Sequence, residues 1–237
     1  MAETIYTIPI NEVLEENMKE GSDSCPFCTL AAKLESDELD LILGASMMEP
    51  DIRIKTNEQG FCPDHFSKML RISKRLPLAL MLESHLDKLS SDLGKKGILK
   101  PSPDKTAKML DSLSRSCYIC SRVGYNMARL ISNTVHIYQT DEEFRKKLSA
   151  QPYVCIAHSA ALLKAASDEM NKRQYADFSE SLCTLVYRHL GELCGDVSDF
   201  AKSFDYRYAG KALSPQTKQS VERAIRFLAG DNAAPIK

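Results

Sequence analysis

The chain has 237 residues, of which 43% are hydrophobic and 27% are charged. This length and apolar content suffice for a packed core, and ten glycines and ten prolines are too few for a collagen-like or largely disordered protein. The 31 basic and 32 acidic residues give a formal net charge of −1, so composition excludes binding to nucleic acid or an anionic membrane through a global positive field.

The hydropathy of the chain indicates neither export nor membrane insertion. No basic segment followed by an apolar one stands at the N-terminus, so we expect no secretory signal. The longest wholly apolar run, Leu76–Leu82, falls far short of the about 18 residues that a membrane span needs. We therefore expect a cytoplasmic protein, in which disulfides are uncommon and eight cysteines need another explanation.

Helical spacing of apolar residues dominates the chain and predicts an all-α fold. Asn11 is placed to cap a short first helix that Gly21 ends, and Ser102-Pro103 is typical of a cap and first helical position. A helix is expected after each Cys-x-x-Cys and each Cys-x-x-His motif. Three more are expected at about residues 76–90, 176–204 and 216–229.

A cysteine pattern occurs twice. Cys25-Pro-Phe-Cys28 recurs 92 residues later as Cys117-Tyr-Ile-Cys120, and Cys62-Pro-Asp-His65 recurs 93 residues later as Cys155-Ile-Ala-His158. An acid–apolar–Arg–x–Lys pattern between the motifs also repeats at an offset of 92. We interpret the chain as two tandem helical repeats, 1–92 and 103–204, with a linker at 93–102 and a tail helix within 205–237, packed as one compact unit.

The two motif types suit a metal ion, because zinc favours four ligands drawn from Cys thiolate and neutral His. In Cys62-Pro63-Asp64-His65 the proline favours the first helical position, which places Cys62 at the N-cap and His65 on the same side of the first turn. The sequence thus predicts two Cys3His sites at helix N-termini and about two zinc ions per chain. The predicted ligands are Cys25, Cys28, Cys62, His65, Cys117, Cys120, Cys155 and His158.

The spacing leaves the pairing of the motifs open. The two motifs of a copy are separated by 33 residues in the first copy and 34 in the second, so pairing within a copy and crossed pairing are both feasible. We favour pairing within a copy, because each half then carries a complete site. Each zinc site has a formal charge of −1, and loading both would change the net charge from −1 to about −3.

Other interpretations of the cysteines remain. Cys25-Pro-Phe-Cys28 alone resembles a glutaredoxin redox motif, but that interpretation requires a βαβ context, which the sequence lacks. An iron–sulfur cluster is an alternative to zinc at the same ligands. Cys183 and Cys194 lie eleven residues apart on one helix with Tyr187 and Leu190, and we predict that both are buried core residues.

The remaining polar features favour structural roles. His85, His136 and His189 lack partners at ligand spacing and are interpreted as ordinary helix residues. The pairs Arg53/Lys55 and Arg145/Lys147 are expected to be solvated or ion-paired rather than to bind an anion. Asp205-Tyr-Arg207, flanked by Phe204 and Tyr208, is interpreted as an aromatic plug that seats the tail, with a cleft-lining loop as the alternative. No catalytic motif stands out.

Several motifs together resemble a known family. They are Cys-Pro-Phe-Cys, Asp-x-Arg-x-x-Thr-Asn-x-x-Gly-Phe-Cys-x-x-His-Phe, Leu-Ala-Leu-Met-Leu-Glu-Ser-His-Leu, Cys117-Tyr-Ile-Cys120 and Lys202-Ser-Phe-Asp-Tyr-Arg207. The chain is similar over nearly its whole length to an uncharacterised bacterial family, classified only as a domain of unknown function. It departs in the second copy, where Tyr153-Val154 and Ser159 replace Gly-Phe and Phe around Cys-x-x-His. The resemblance implies no activity.

The sequence therefore favours a metal-stabilised helical protein that binds a protein or small-molecule partner and has no catalytic site. The alternative is a redox protein or enzyme that uses an iron–sulfur or dithiol centre. Metal content and colour distinguish the two, because zinc is colourless and iron–sulfur protein is brown.

Overall fold

The computed structural model describes residues 7–19, 23–94, 102–208 and 212–231. This part of the chain holds twelve α-helices and no strand, which confirms the all-α prediction. The helices are α1 (Thr7–Asn17), α2 (Pro26–Ile42), α3 (Pro50–Gln59), α4 (Pro63–Ile72), α5 (Arg75–Asp92), α6 (Pro103–Arg115), α7 (Tyr118–Thr140), α8 (Glu142–Ser149), α9 (Ile156–Glu169), α10 (Lys172–Lys202), α11 (Pro215–Lys218) and α12 (Ser220–Ala229). None of them is long and apolar enough to cross a membrane.

The two predicted N-terminal caps have different outcomes. Ser102 accepts a hydrogen bond from the Lys105 N–H and Pro103 is the first residue of α6, as predicted. The prediction for Asn11 is wrong, because α1 begins at Thr7 and the Asn11 side chain donates to the Thr7 carbonyl from inside the helix. Pro9 has no N–H and suits a first turn, so the helix begins before it. Gly21 and residues 95–101 of the predicted linker lie outside the described residues.

The later helices lie near their predicted positions. The predicted helix 76–90 is α5, and the predicted helix 176–204 is α10. α10 begins earlier than predicted, because Asn171 forms a capping box with Gln174. The predicted tail helix is divided at Gln219 into α11 and α12.

The same helix order occurs in α1–α5 and in α6–α10. In each series a Cys-x-x-Cys motif begins the second helix and a Cys-x-x-His motif begins the fourth. A shared helix order does not by itself establish a duplication, so the tandem repeat remains a prediction.

The chain divides into two compact units that differ from the predicted repeats. One comprises residues 1–32 and 127–237, and the other comprises residues 33–126. The divisions fall inside α2 and α7, so each of these helices contributes residues to both units.

In the unit of residues 1–32 and 127–237, α10 packs against α8, α9, α11 and α12, and α1 packs against α8. Its buried side chains include Leu14, Phe144, Leu162, Phe178, Leu185 and Phe227. In the unit of residues 33–126, α3 packs against α5. The core of this second unit includes Leu39, Ile42, Met69, Met81, Tyr118 and Ile119, together with the predicted ligand Cys117.

Candidate metal centres

All four cysteine motifs begin a helix in the same way. The carbonyls of Cys25 and Cys117 accept the first intrahelical hydrogen bonds, from the N–H groups of Thr29 and Ser121. Cys62 and Cys155 are the N-cap residues of α4 and α9. In each motif the first ligand is therefore the N-cap and the second is the third helical residue, which places both side chains on one side of the first turn.

The eight predicted ligands form two clusters. Cys25, Cys28, Cys155 and His158 compose the Cys25 site, and Cys62, His65, Cys117 and Cys120 compose the Cys62 site. Within each cluster the ligand atoms lie within 4.8 Å of one another. The preference for pairing within a copy is wrong, because each site combines the Cys-x-x-Cys of one copy with the Cys-x-x-His of the other. Each site lies wholly within one unit.

In the Cys25 site, three sulfurs surround the Nδ1 atom of His158. This nitrogen lies 3.7 Å from Cys25 Sγ, 3.5 Å from Cys28 Sγ and 3.1 Å from Cys155 Sγ. The sulfurs of Cys28 and Cys155 are 3.7 Å apart.

The Cys62 site has the same arrangement around Nδ1 of His65. This nitrogen lies 3.0 Å from Cys62 Sγ, 3.3 Å from Cys117 Sγ and 3.5 Å from Cys120 Sγ. The sulfurs of Cys62 and Cys120 are 3.9 Å apart.

These distances suit one tetrahedral ion in each site. Zinc–sulfur bonds of about 2.3 Å and zinc–nitrogen bonds of about 2.0 Å place the sulfurs of a tetrahedron about 3.8 Å apart and a sulfur and nitrogen about 3.5 Å apart. The sulfurs are too distant for a disulfide, whose S–S bond is about 2.05 Å, and all eight cysteines are free thiols. The chain thus has two Cys3His groups that could hold metal ions.

Helix N-termini surround each site with positive potential. α2 and α9 begin at the Cys25 site, and α4 and α7 begin at the Cys62 site. Each N-terminus carries roughly half a positive charge, so the two at a site offset the formal charge of about −1 that zinc and three thiolates would leave. The helix N-termini therefore favour the thiolate form that a metal ion requires.

Burial and hydrogen bonds within the Cys62 site shift the pKa values of its ligands. Burial alone lowers the pKa of His65, but hydrogen bonds to Cys117 and Cys62 outweigh it and raise the pKa to about 9. Burial alone raises the pKa of Cys117, but its hydrogen bond to His65 is the leading interaction that lowers the pKa to about 6. Burial and the neighbouring Cys117 raise the pKa of Cys120 to about 12.

Burial and hydrogen bonds also shift the pKa values of the three thiols in the Cys25 site. Burial raises the pKa of Cys25 well above its usual range. Hydrogen bonds from Cys25 and Cys28 lower the pKa of Cys155, and the hydrogen bond with Cys155 raises the pKa of Cys28 to about 12. In both clusters a metal ion must therefore displace protons in order to bind.

The two sites differ in exposure. Cys25, Cys28 and Cys155 are all buried, with at most 4% of each residue exposed. In the Cys62 site, Cys62 is half-buried and Cys120 is exposed. Solvent therefore reaches the sulfurs of the Cys62 site more readily.

The His65 side chain is oriented by a carboxylate that the sequence analysis missed. Glu35 on α2 accepts hydrogen bonds from His65 Nε2 at 2.8 Å and from Lys68 Nζ at 2.5 Å. A carboxylate on the distal nitrogen fixes the ring and leaves Nδ1 for the metal. The position 92 residues after Glu35 is Met127, so comparing the two copies gives no signal for this role.

The tail contributes a second set of missed residues, at the Cys25 site. Asp231 follows α12 and contacts Cys25, Cys28 and Tyr153. Tyr153 stands where the first copy has a glycine two residues before Cys-x-x-His. This difference was the only indication in the sequence that Tyr153 has a separate role. Asp231 lies outside both copies.

The prediction that Cys183 and Cys194 are buried is wrong, since Cys183 is half-buried and Cys194 is exposed. The buried stripe of α10 is Phe178, Leu182, Leu185, His189 and Leu193. Each cysteine lies one residue after a member of this stripe, which rotates it by about 100° away from the core. The accompanying Tyr187 and Leu190 are also exposed.

The three other histidines lie outside both clusters, as expected. His85 bonds to the Asn57 carbonyl, and His189 stacks on Tyr153 with ring centroids 4.4 Å apart. Burial lowers the pKa of His189. His136 is exposed.

The basic pairs have local partners. Arg145 donates to the carbonyls of Tyr138 and Gln139 near the end of α7, and Lys147 pairs with Glu15 and Glu143. In the first copy, Arg53 donates to the Met47 carbonyl and Lys55 is exposed.

The interpretation of residues 204–208 as an aromatic plug is wrong. Phe204 and Tyr206 are 78% and 87% exposed, respectively. The Asp205 carboxylate accepts hydrogen bonds from the Arg207 main-chain N–H and guanidinium, which form a local turn. The Tyr208 side chain is outside the described residues.

Comparison with known proteins identifies a family and no characterised relative. A family model described as a family of unknown function, DUF6062, matches residues 1–235. This confirms the resemblance to a family of unknown function. No curated protein and no solved structure matches the chain.

Proposed function

The chain belongs to the DUF6062 family, whose function is unknown, and we propose from the geometry of the two sites that it is a zinc-stabilised helical protein. One zinc ion occupies each Cys3His group and stabilises its unit. The observation that carries the proposal is the convergence of three sulfurs and one Nδ1 atom in each cluster at tetrahedral spacing. The free thiols also suit a reducing compartment such as the cytoplasm.

Elemental analysis of protein purified without chelator tests this directly. About two zinc equivalents per chain are expected, with colourless protein. A content near zero with all thiols reactive would contradict the proposal.

The ions have a structural role, because four protein ligands complete a tetrahedral shell and leave no position for water or substrate. Substitution with cobalt(II) provides the test. Its visible spectrum is expected to show tetrahedral coordination and to remain unchanged when cyanide or azide is added. A spectral change with cobalt still bound to the protein would reveal an open position and would favour an enzyme.

With closed metal sites, the protein acts by binding a protein or small-molecule partner elsewhere on its surface. A true ligand raises the melting temperature of the metal-loaded protein, since it binds the folded state alone. A screen of small molecules by thermal shift tests the small-ligand form of the proposal. Turnover of a compound would contradict the binding role.

An iron–sulfur or dithiol centre remains the alternative function. A cluster distributes its ligands over separate iron atoms, whereas the ligand atoms here lie within 4.8 Å of one another and suit a single ion. Brown protein that contains iron and acid-labile sulfide would favour the alternative.

A further inference from the structure

The two residues that follow α12, Gly230 and Asp231, lie against the Cys25 site. The Asp231 carboxylate accepts a hydrogen bond from the Cys25 main-chain N–H at 2.7 Å and another from the Tyr153 hydroxyl at 2.5 Å. The Asp231 main-chain N–H donates to Cys28 Sγ at 3.4 Å. One tail residue thus contacts both cysteines of the same Cys-x-x-Cys motif.

The approach of the tail requires glycine at position 230. Gly230 has φ 89° and ψ 158°, a conformation that L-residues rarely adopt. A Cβ atom there would lie 3.4 Å from Cys28 Sγ. The backbone conformation therefore favours glycine, whereas the distance to the sulfur is an ordinary contact that a Cβ atom could make.

Helix α12 is held to the residues that precede the Cys25–Cys28 motif. Arg226 on α12 donates to Asp23 at 2.8 Å, and Asp23 lies two residues before Cys25. Phe227 is buried with its ring centroid 6.2 Å from that of Tyr153. The tail is thus held by an ion pair, by a buried aromatic ring and by the contacts of Asp231.

We propose that Gly230 and Asp231 form a clamp on the Cys25 site, with Asp231 as a positioning residue that holds the Cys25–Cys28 turn and donates one N–H to the Cys28 thiolate. A donor to a thiolate stabilises its charge, and a fixed turn preserves the spacing of the two sulfurs. Retention of metal at the Cys25 site therefore depends on the docked tail, whereas retention at the Cys62 site does not. The inference rests on the proposed function.

The test compares full-length Asp231→Ala, Asp231→Asn and wild-type proteins loaded with zinc. Release to a chromogenic chelator gives the rates, and alkylation followed by peptide mass spectrometry shows which cysteines have lost metal. In Asp231→Ala one of the two zinc ions is expected to leave about 10–100-fold faster, as for other residues that orient ligands. Cys25, Cys28 and Cys155 should gain reactivity, while the Cys62 site is unchanged.

Two controls separate positioning from general stability. Asp205→Ala removes a carboxylate that pairs with Arg207 in an exposed turn of the same unit, and it should leave both release rates unchanged. Both Asp231 variants retain the main-chain N–H, but only Asp231→Asn retains a side-chain oxygen that can accept from the Cys25 N–H, so Asp231→Asn should restore slow release. In the cobalt(II) protein, Asp231→Ala should shift the sulfur-to-cobalt charge-transfer band and Asp231→Asn should shift it less.

Unchanged release and spectrum in Asp231→Ala, or equal loss from both sites, would overturn the clamp while leaving two-zinc binding intact. Wild-type protein that binds no metal would instead overturn the proposed function and the clamp with it.

Discussion

Substitution of Cys62 by serine distinguishes crossed pairing from pairing within a copy. Cys62 shares its site with Cys117 and Cys120, which belong to the other sequence copy. Loss of metal from this site should therefore make Cys117 and Cys120 reactive. Cys25 and Cys28 should remain protected, because their site keeps all four ligands.

The size of the effect on stability follows from the loop that the metal closes. His65 and Cys117 are 52 residues apart in the sequence. A cross-link that closes a loop of this length contributes about 4 kcal/mol at 25 °C in the chain-entropy treatment. This is a large part of a typical net stability of about 5–15 kcal/mol. Since about 1 kcal/mol corresponds to about 2–4 °C in a chain of this size, the melting temperature should fall by about 8–16 °C.

The assay combines elemental analysis, thermal unfolding, and alkylation with peptide mass spectrometry on the same preparation. Cys183→Ser is the matched control, because Cys183 lies outside both clusters, and it should retain two zinc ions and the wild-type melting temperature. Reactivity of Cys25 and Cys28 in the Cys62→Ser protein would refute crossed pairing. Unchanged metal content and melting temperature would refute the ligand assignment itself.

Three further outcomes follow from the geometry. Glu35→Ala should weaken zinc binding at the Cys62 site about 10–100-fold in chelator competition, because it removes the acceptor for His65 Nε2. Substitution of the exposed Glu58 by alanine is the control and should leave the affinity unchanged, and equal affinities in the two variants would contradict the role of Glu35. Cys194 should be alkylated rapidly in native metal-loaded protein, because it is exposed, and protection until unfolding would contradict its placement. Because the pKa values of Cys28 and Cys120 are about 12, both hold protons at neutral pH in metal-free protein, so zinc should displace them and its affinity should fall as pH falls. Calorimetry in buffers of different ionisation enthalpy measures this proton release. Zinc binding without proton release would contradict the raised pKa values of Cys28 and Cys120.

The sequence could predict the local features of the fold and the sites, which depend on residues close together along the chain. Pro63 and the Cys-x-x-His spacing sufficed to place Cys62 at an N-cap with His65 on the same side of the turn. Ser102-Pro103 sufficed for the start of α6. These features are local, because one helical turn determines where both side chains point.

The pairing of the motifs could not be predicted, because gaps of 33 and 34 residues allow both arrangements and the ligands in each are chemically identical. The clamp on the Cys25 site could not be predicted either. Asp231 lies more than 200 positions from Cys25, and only the packing of α12 brings the two together. The exposure of Cys194 depends on a rotation of one residue around α10, which eleven-residue spacing alone does not determine.

With metal bound in both sites as proposed, crossed coordination would join the two predicted sequence copies independently of the peptide bonds between them. A single cut in residues 93–102 would leave two fragments, each contributing two ligands to the Cys25 site and two to the Cys62 site. The metal-loaded fragments would then be joined by two coordination bridges in addition to the helix packing within each unit, and a chelator would remove only the bridges. The loop closed by the Cys62 site is nested inside the loop closed by the Cys25 site, so neither bridge needs to be threaded through the other when the fragments reassemble.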